Sequence, residues 1–272
     1  ASDVMIGNYH ATVNFSALLT FFTIPISTVL FPAFAKLDPK KEHALLLTVF
    51  TSSVKYTTIL LVPATMAIMT LSSPMIYTLF GERYIYAPFF LTLYVVGNLF
   101  AVLGNLSISS FFAGVGETKM LMKQGLLTLA IGIPLGFLLI STFGIIGLIL
   151  GNIFAGVPSM FWGFYWAWKH YRVKADFKCS AKILTASAIA ALVTYASLNF
   201  INVAAWIRLV IGITLFISIY ILTAPMIGAI TQPDIKNLRA MFSSLGFVSK
   251  IINIPLRVAE KVVLMKNNLS KA

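Results

Sequence analysis

Long apolar runs fall at roughly 8–33, 44–71, 85–112, 121–141, 145–168, 183–200 and 207–230, and only one of them holds a Lys, Arg, Asp or Glu well inside it, Lys55. At ~1.5 Å of rise per residue, about 20 apolar residues cross the hydrocarbon of a bilayer. The pattern therefore predicts an all-α, polytopic helical membrane protein with about seven transmembrane helices in residues 1–231. A membrane β-barrel would need ten-residue segments of alternating polarity, and none occur.

The polar connections set a direction. Three Lys lie in KLDPKKEH (36–43), two in GETKMLMK (116–123), five Lys/Arg in KHYRVKADFKCSAK (169–182) and seven after residue 231, of 20 in all. These connections alternate, so they share one face; the other face has only Arg83 and Arg208. Basic loops stay cytoplasmic. The expected location is the cell membrane, with the N-terminus of the chain outside and its C-terminus cytoplasmic. An outward N-terminus that begins with Ala and no basic leader leads to the expectation that further helices precede it, so that the chain is the C-terminal part of a larger protein.

Composition agrees. Hydrophobic residues make up 59% of the chain and charged residues 10%, against about 25% charged in soluble domains; mean hydropathy is +0.92. The net charge of +12 reads as loop asymmetry rather than nucleic-acid binding. The single cysteine, Cys179, can form neither an internal disulfide nor a metal site.

The segment 232–272 is expected to be a cytoplasmic, basic, amphipathic tail. In TQPDIKNLRAMF, Thr231 and Asp234 are spaced as a capping pair and Pro233 suits a first turn. Ile235, Leu238, Phe242, Leu245, Val248 and Ile252 recur every three or four residues, as in a helix on the membrane surface. Pro255 is expected to break it before a second helix at 256–266. A disordered basic tail is the alternative.

Within the spans, polar stripes are the candidate chemistry. Thr48, Ser52, Lys55 and Thr58 share one face of the second helix, with Lys55 about eleven residues, roughly 16 Å, from its inner end. An ammonium at mid-bilayer costs about 2.5–3.5 kcal/mol. Lys55 is therefore expected to face a water-filled cavity or a buried partner rather than lipid. With no carboxylate inside any span, a partner would have to come from outside this chain. Ser16, Thr20 and Thr23, with Tyr9 and Ser27, stripe the first helix. Asn98, Asn105 and Ser109 stripe the third, where cavity lining and helix–helix hydrogen bonding stay equally open. His10 and Asn14 suit an interface better than a metal site. Arg83 is either an outer-mouth substrate contact or an ordinary loop charge.

Pro25, Pro63, Pro134 and Pro158 interrupt spans, and discontinuous helices recur where transporters bind and move. FWGFYWAWKHY (161–171) reads as an interfacial aromatic belt, with sugar stacking the alternative. No phosphate loop, zinc motif, carboxylate pair or Ser/His/Asp cluster can be assembled, so no catalytic residues, metal or cofactor are expected, and the chain is not expected to be an enzyme.

The order of features resembles the C-terminal part of the polysaccharide (O-antigen-type) flippases of the multidrug/oligosaccharidyl-lipid/polysaccharide exporter superfamily. The stretches that carry it are DVMIGNYHATVNFSALLTFFTIPISTVLFPAFAKL (3–37), KYTTILLVPATMAIMTLSSPMIYTLFGERYIYAPFFLTLYVV (55–96), FFAGVGETK (111–119), IPLGFLLISTFGIIGLILG (133–151) and TQPDIKNLR. The resemblance implies the second lobe plus the last two helices of a 14-helix carrier. That carrier would move a lipid-linked oligosaccharide across the membrane by alternating access. Its partners would be membrane lipids, that substrate, the N-terminal half of the same protein and polysaccharide assembly enzymes. Lys55 would then meet the anionic headgroup. Competing readings are another exporter of the superfamily, a membrane glycosyl-transfer enzyme or polymerase, and a non-transporting scaffold subunit.

Overall fold

The computed structural model describes residues 3–39, 41–242 and 247–269, except for the side chains of Phe22, Pro25, 241–252 and 267–269. The described residues are helical with no strand. They form α1 (Asp3–Ser16), α2 (Thr20–Ala35), α3 (His43–Thr70), α4 (Ser72–Phe80), α5 (Ala87–Val95), α6 (Asn105–Gly114), α7 (Thr118–Tyr171), α8 (Phe177–Asn199), α9 (Ala205–Met226), α10 (Gln232–Phe242) and α11 (Phe247–Leu269). Among these, α3, α7, α8 and α9 are each long and apolar enough to cross a membrane. The path Ala87–Leu103 followed by α6 is bent by 60° and, taken as one broken span, is long and apolar enough for a further crossing.

α7 is a helical hairpin. Gly144 turns the chain with φ 58° and ψ −129°, a conformation costly for any residue with a Cβ. Its two arms, 118–143 and 145–171, then close through small residues. A methyl on Gly132 would lie 3.1 Å from the Ala155 Cβ, and one on Gly151 would lie 3.4 Å from the Gly136 Cα. At Gly147 any side chain would overlap the Leu139 carbonyl. Close backbone approach at small residues is how membrane helices associate without a hydrophobic driving force. Hydroxyls add to the seam: Thr128 Oγ1 and Ser159 Oγ lie 2.7 Å apart, and Gln124 donates to the Ser159 carbonyl at 2.9 Å.

Two neighbouring paths are interrupted. A 3-10 stretch, Ala17–Leu19, separates α1 from α2, and another, Val96–Leu103, leads to Gly104 before α6. α1 packs on α5 and α2 on α6, so the interrupted paths run side by side. At the first break Ser16, Thr20 and Thr23 each donate to the carbonyl three residues back. Such back-bonding competes with the i−4 ladder and bends helices. At the second, Gly104 has φ 91°, and a methyl there would come within 2.8 Å of Val54 Cγ2. Glycine is required on both counts.

The core is continuous from α1 through α3 and α5 to α8–α11. A second, aromatic cluster of Phe34, Phe50, Phe111 and Phe112 lies near the basic loops, with Phe111 edge-on to Phe34 and Phe50 at 5.5 and 5.6 Å. Asn8, buried, caps the start of α5, its Oδ1 accepting from the Tyr86 and Ala87 amides at 3.1 and 2.9 Å.

Three sequence expectations change. α4 forms within a connection expected to be a loop. Pro255 lies inside α11 without ending it; one lost hydrogen bond can be absorbed where the helix is held by packing, here of Ala259 and Val263 in the core. The tail also lies against the bundle: α10 packs along α11, and α11 along α9. Leu245 and Lys271, and the side chains of Pro25, Phe242, Val248, Lys250 and Ile252, lie outside what is described.

Candidate functional site

Lys55 has a partner within the chain. Its Nζ lies 2.6 Å from Asp234 Oδ2, and the two side chains are 23% and 5% exposed. The same oxygen accepts from the Thr231 amide at 2.8 Å and the Thr231 hydroxyl at 2.6 Å, the capping pair that the sequence spacing implies. One residue along, the Tyr56 hydroxyl accepts from Asn237 Nδ2 at 2.6 Å. The carboxylate expected to come from outside the chain thus comes from its own tail, and of the two alternatives, a water-filled cavity or a buried partner, Lys55 has the partner.

The basic segment 171–176 runs up the side of α3: the Tyr171 carbonyl meets His43 Nε2 at 2.9 Å, Val173 is buried beside Leu46 and Phe50, and the Lys174 carbonyl accepts from Thr51 Oγ1 at 3.4 Å. The first three turns of α3 are flanked by polar chain, and Lys55 is level with the start of α8 and with α10.

The other residues of that stripe diverge. Thr58 is buried and donates to the carbonyls of Val54 at 2.7 Å and Ala101 at 3.1 Å, tying α3 to the 3-10 stretch of the broken path. Thr48 is exposed and bonds only its own helix, and Ser52 is half-buried. Ser16 is half-buried, Thr20 exposed and Thr23 half-buried, at the α1/α2 break. Arg83 is exposed in the turn before α5.

Asn98 and Asn105 do come together. They flank Gly104 and line a recess of about 420 Å³ with Tyr94, Gly97, Asn152 and Ser159. Asn98 Nδ2 donates to the Val95 carbonyl at 3.2 Å. Asn152, on the second arm of α7, completes a three-amide lining that sequence reading missed. Its signal was a single carboxamide in the otherwise apolar GNIFAG, without a stripe around it. No Asp, Glu, Lys or Arg lines the recess. Among the described residues, no group of His, Cys, Asp and Glu is placed to hold a metal.

A bundle of helices long and apolar enough to span, two of its paths broken side by side and a polar recess at one break, defines the class: a multi-pass helical membrane protein. The chain belongs to the lipid II flippase MurJ family, whose model matches residues 7–220. A solved structure described as lipid II flippase MurJ in an inward closed conformation has the same fold, with a TM-score of 0.67 and 19% identity. The match covers 81% of this chain and 46% of that one, so the chain spans about half the length of that structure. No curated protein matches the sequence significantly. The exporter superfamily is as the resemblance implied, but the family is corrected from O-antigen-type to lipid II-type. The motifs behind the resemblance are turns and helix breaks, which report the shared scaffold and not the contacts to a headgroup.

Proposed function

We propose that this chain is the C-terminal lobe of a flippase that carries a lipid-linked cell-wall precursor, of the lipid II type, from the inner to the outer leaflet by alternating access. The family match over 7–220 supports the activity. The observation that supports a headgroup site in this lobe is the recess where Asn98, Asn105 and Asn152 converge at a broken span. Carboxamides offer both donors and acceptors, suited to sugar hydroxyls and peptide amides. The recess carries no charge, so it takes the neutral part of the headgroup, and the diphosphate is neutralised elsewhere in the protein. The lipid tail stays in the bilayer. The breaks at 17–19 and 96–104 let the lower helices swing against the upper ones, as discontinuous helices do in alternating-access carriers. The basic loops and the tail face the cytoplasm. Lys55, engaged by Asp234, fastens the tail instead of meeting the substrate.

The test is a leaflet-translocation assay in proteoliposomes containing the full-length protein. Fluorescent lipid II should flip, and a polyprenyl-diphosphate-linked O-antigen unit should flip much more slowly. Equal rates, or movement of the O-antigen unit alone, would remove the lipid II assignment.

A further inference from the structure

A second recess lies at the end of α9, far in sequence from the asparagines. It holds about 220 Å³ and is lined by Pro225, Gly228, Thr231, Gln232, Val263 and Lys266. Gly228 has φ +72°, and a methyl placed on it would stand 3.2 Å from Lys266 Nζ and 3.7 Å from Lys182 Nζ. The two ammonium groups, from α11 and α8, are therefore within about 7 Å of each other, where like charges repel. Lys266 donates to the Pro225 carbonyl at 3.2 Å, at the negative end of the α9 dipole, which accounts for one cation. Lys182 is exposed, and among the described residues no carboxylate pairs with either lysine.

The walls beside the recess are apolar and exposed. Leu222 and Met226 on α9, and Leu264 and Met265 on α11, all present large hydrophobic surface. A recess lined by Lys266, with the Lys182 ammonium beside it at Gly228, lies at the end of a membrane-spanning helix that carries bare apolar side chains, and has the layout of an anionic lipid: phosphate at the two cations, acyl chains along the flank.

We propose that Lys182 and Lys266 bind the phosphate of an anionic phospholipid of the leaflet at which α9 ends, and that this lipid holds α11 against α9. The like-charge pair is then a site shaped for a doubly coordinated phosphate.

The test is native mass spectrometry of the intact protein titrated with dioleoyl phosphatidylglycerol, dioleoyl phosphatidylcholine and millimolar sodium phosphate. Phosphatidylglycerol should bind more tightly than phosphatidylcholine, with Lys182→Gln weakening it about fivefold and the K182Q/K266Q pair by tenfold or more. Lys182→Gln keeps the Lys266 bond to Pro225, so its loss would not be a loss of the α11 packing. Removing the same charge from the outer side of α11, with R257Q/K261Q, should change binding less than about twofold. The proposal is overturned if the two lipids bind alike, if K182Q binds as wild type, or if R257Q/K261Q loses as much. Displacement of the lipid by free phosphate would overturn it too, by making the notch an inorganic-anion site.

Discussion

Replacing Asp234 by Asn tests whether the tail is fastened to the bundle by charge. The substitution preserves shape but leaves the Lys55 ammonium, only 23% exposed, without its carboxylate, and weakens the acceptor for the Thr231 amide and hydroxyl. Breaking a buried pair from one side costs about 3–5 kcal/mol. Lys55 keeps some access to water, so the loss here is set lower, at about 2–3 kcal/mol including the weakened cap. The cost falls on docking of α10 and not on the whole bundle, because α10 otherwise meets α3 through Tyr56–Asn237 and the packing of Ile235 and Leu238. Hydrogen exchange of the purified protein in detergent reads this locally. Exchange in residues 235–240 should accelerate roughly thirty- to hundred-and-fifty-fold, at about 1.4 kcal/mol per factor of ten, while α5 and α6 stay unchanged. In the double mutant K55M/D234N no unpaired charge remains, so its cost should fall short of the sum of the single costs by about 1–2 kcal/mol. Acceleration below about threefold in D234N, or strict additivity in the cycle, would refute the reasoning.

Gly104→Ala should destabilise the bundle by about 2–4 kcal/mol, combining a left-handed backbone with overlap on Val54; thermal unfolding of detergent-solubilised protein measures it. The G104A/V54A double mutant should lose less than the two singles summed, since the overlap is relieved while the backbone cost stays. Thr58→Val keeps shape but removes the donor to the Ala101 carbonyl; it should cost about 1 kcal/mol in the same assay and loosen exchange in 96–104 before α5.

Much of the architecture was legible because lipid leaves the chain so little choice. Charge-free runs had to be helices, and the unbroken run 124–168 is too long for one crossing, so it was divided at STFG, where Gly144 turns the chain. The charged tail was the part that local pattern could not place. Thr231 and Asp234 announced a cap, but nothing in their spacing says that the free side of that carboxylate meets a lysine 179 residues earlier. The surroundings of Lys55 were hidden for the same reason: its partner lies on α10, and the segment 171–176 that runs beside α3 belongs to another connection. Asn98 and Asn105 were legible as a stripe across a helix, while Asn152 had no periodic neighbour and joined them only through the fold-back of α7. Thr58 carried the right spacing for a cavity stripe, yet its hydroxyl is spent on the Ala101 carbonyl. Periodicity finds a face but not what the face meets.

The most direct test of the site is protection of engineered cysteines in the full-length protein with Cys179 replaced by Ala. Cysteine at 98, 105 or 152 should react readily with a water-soluble maleimide in the inward-facing state. Added lipid II should slow that reaction at all three positions, whereas polyprenyl phosphate lacking the sugar and peptide should not. If lipid II leaves the labelling of all three unchanged, the headgroup does not occupy the asparagine recess and the account fails.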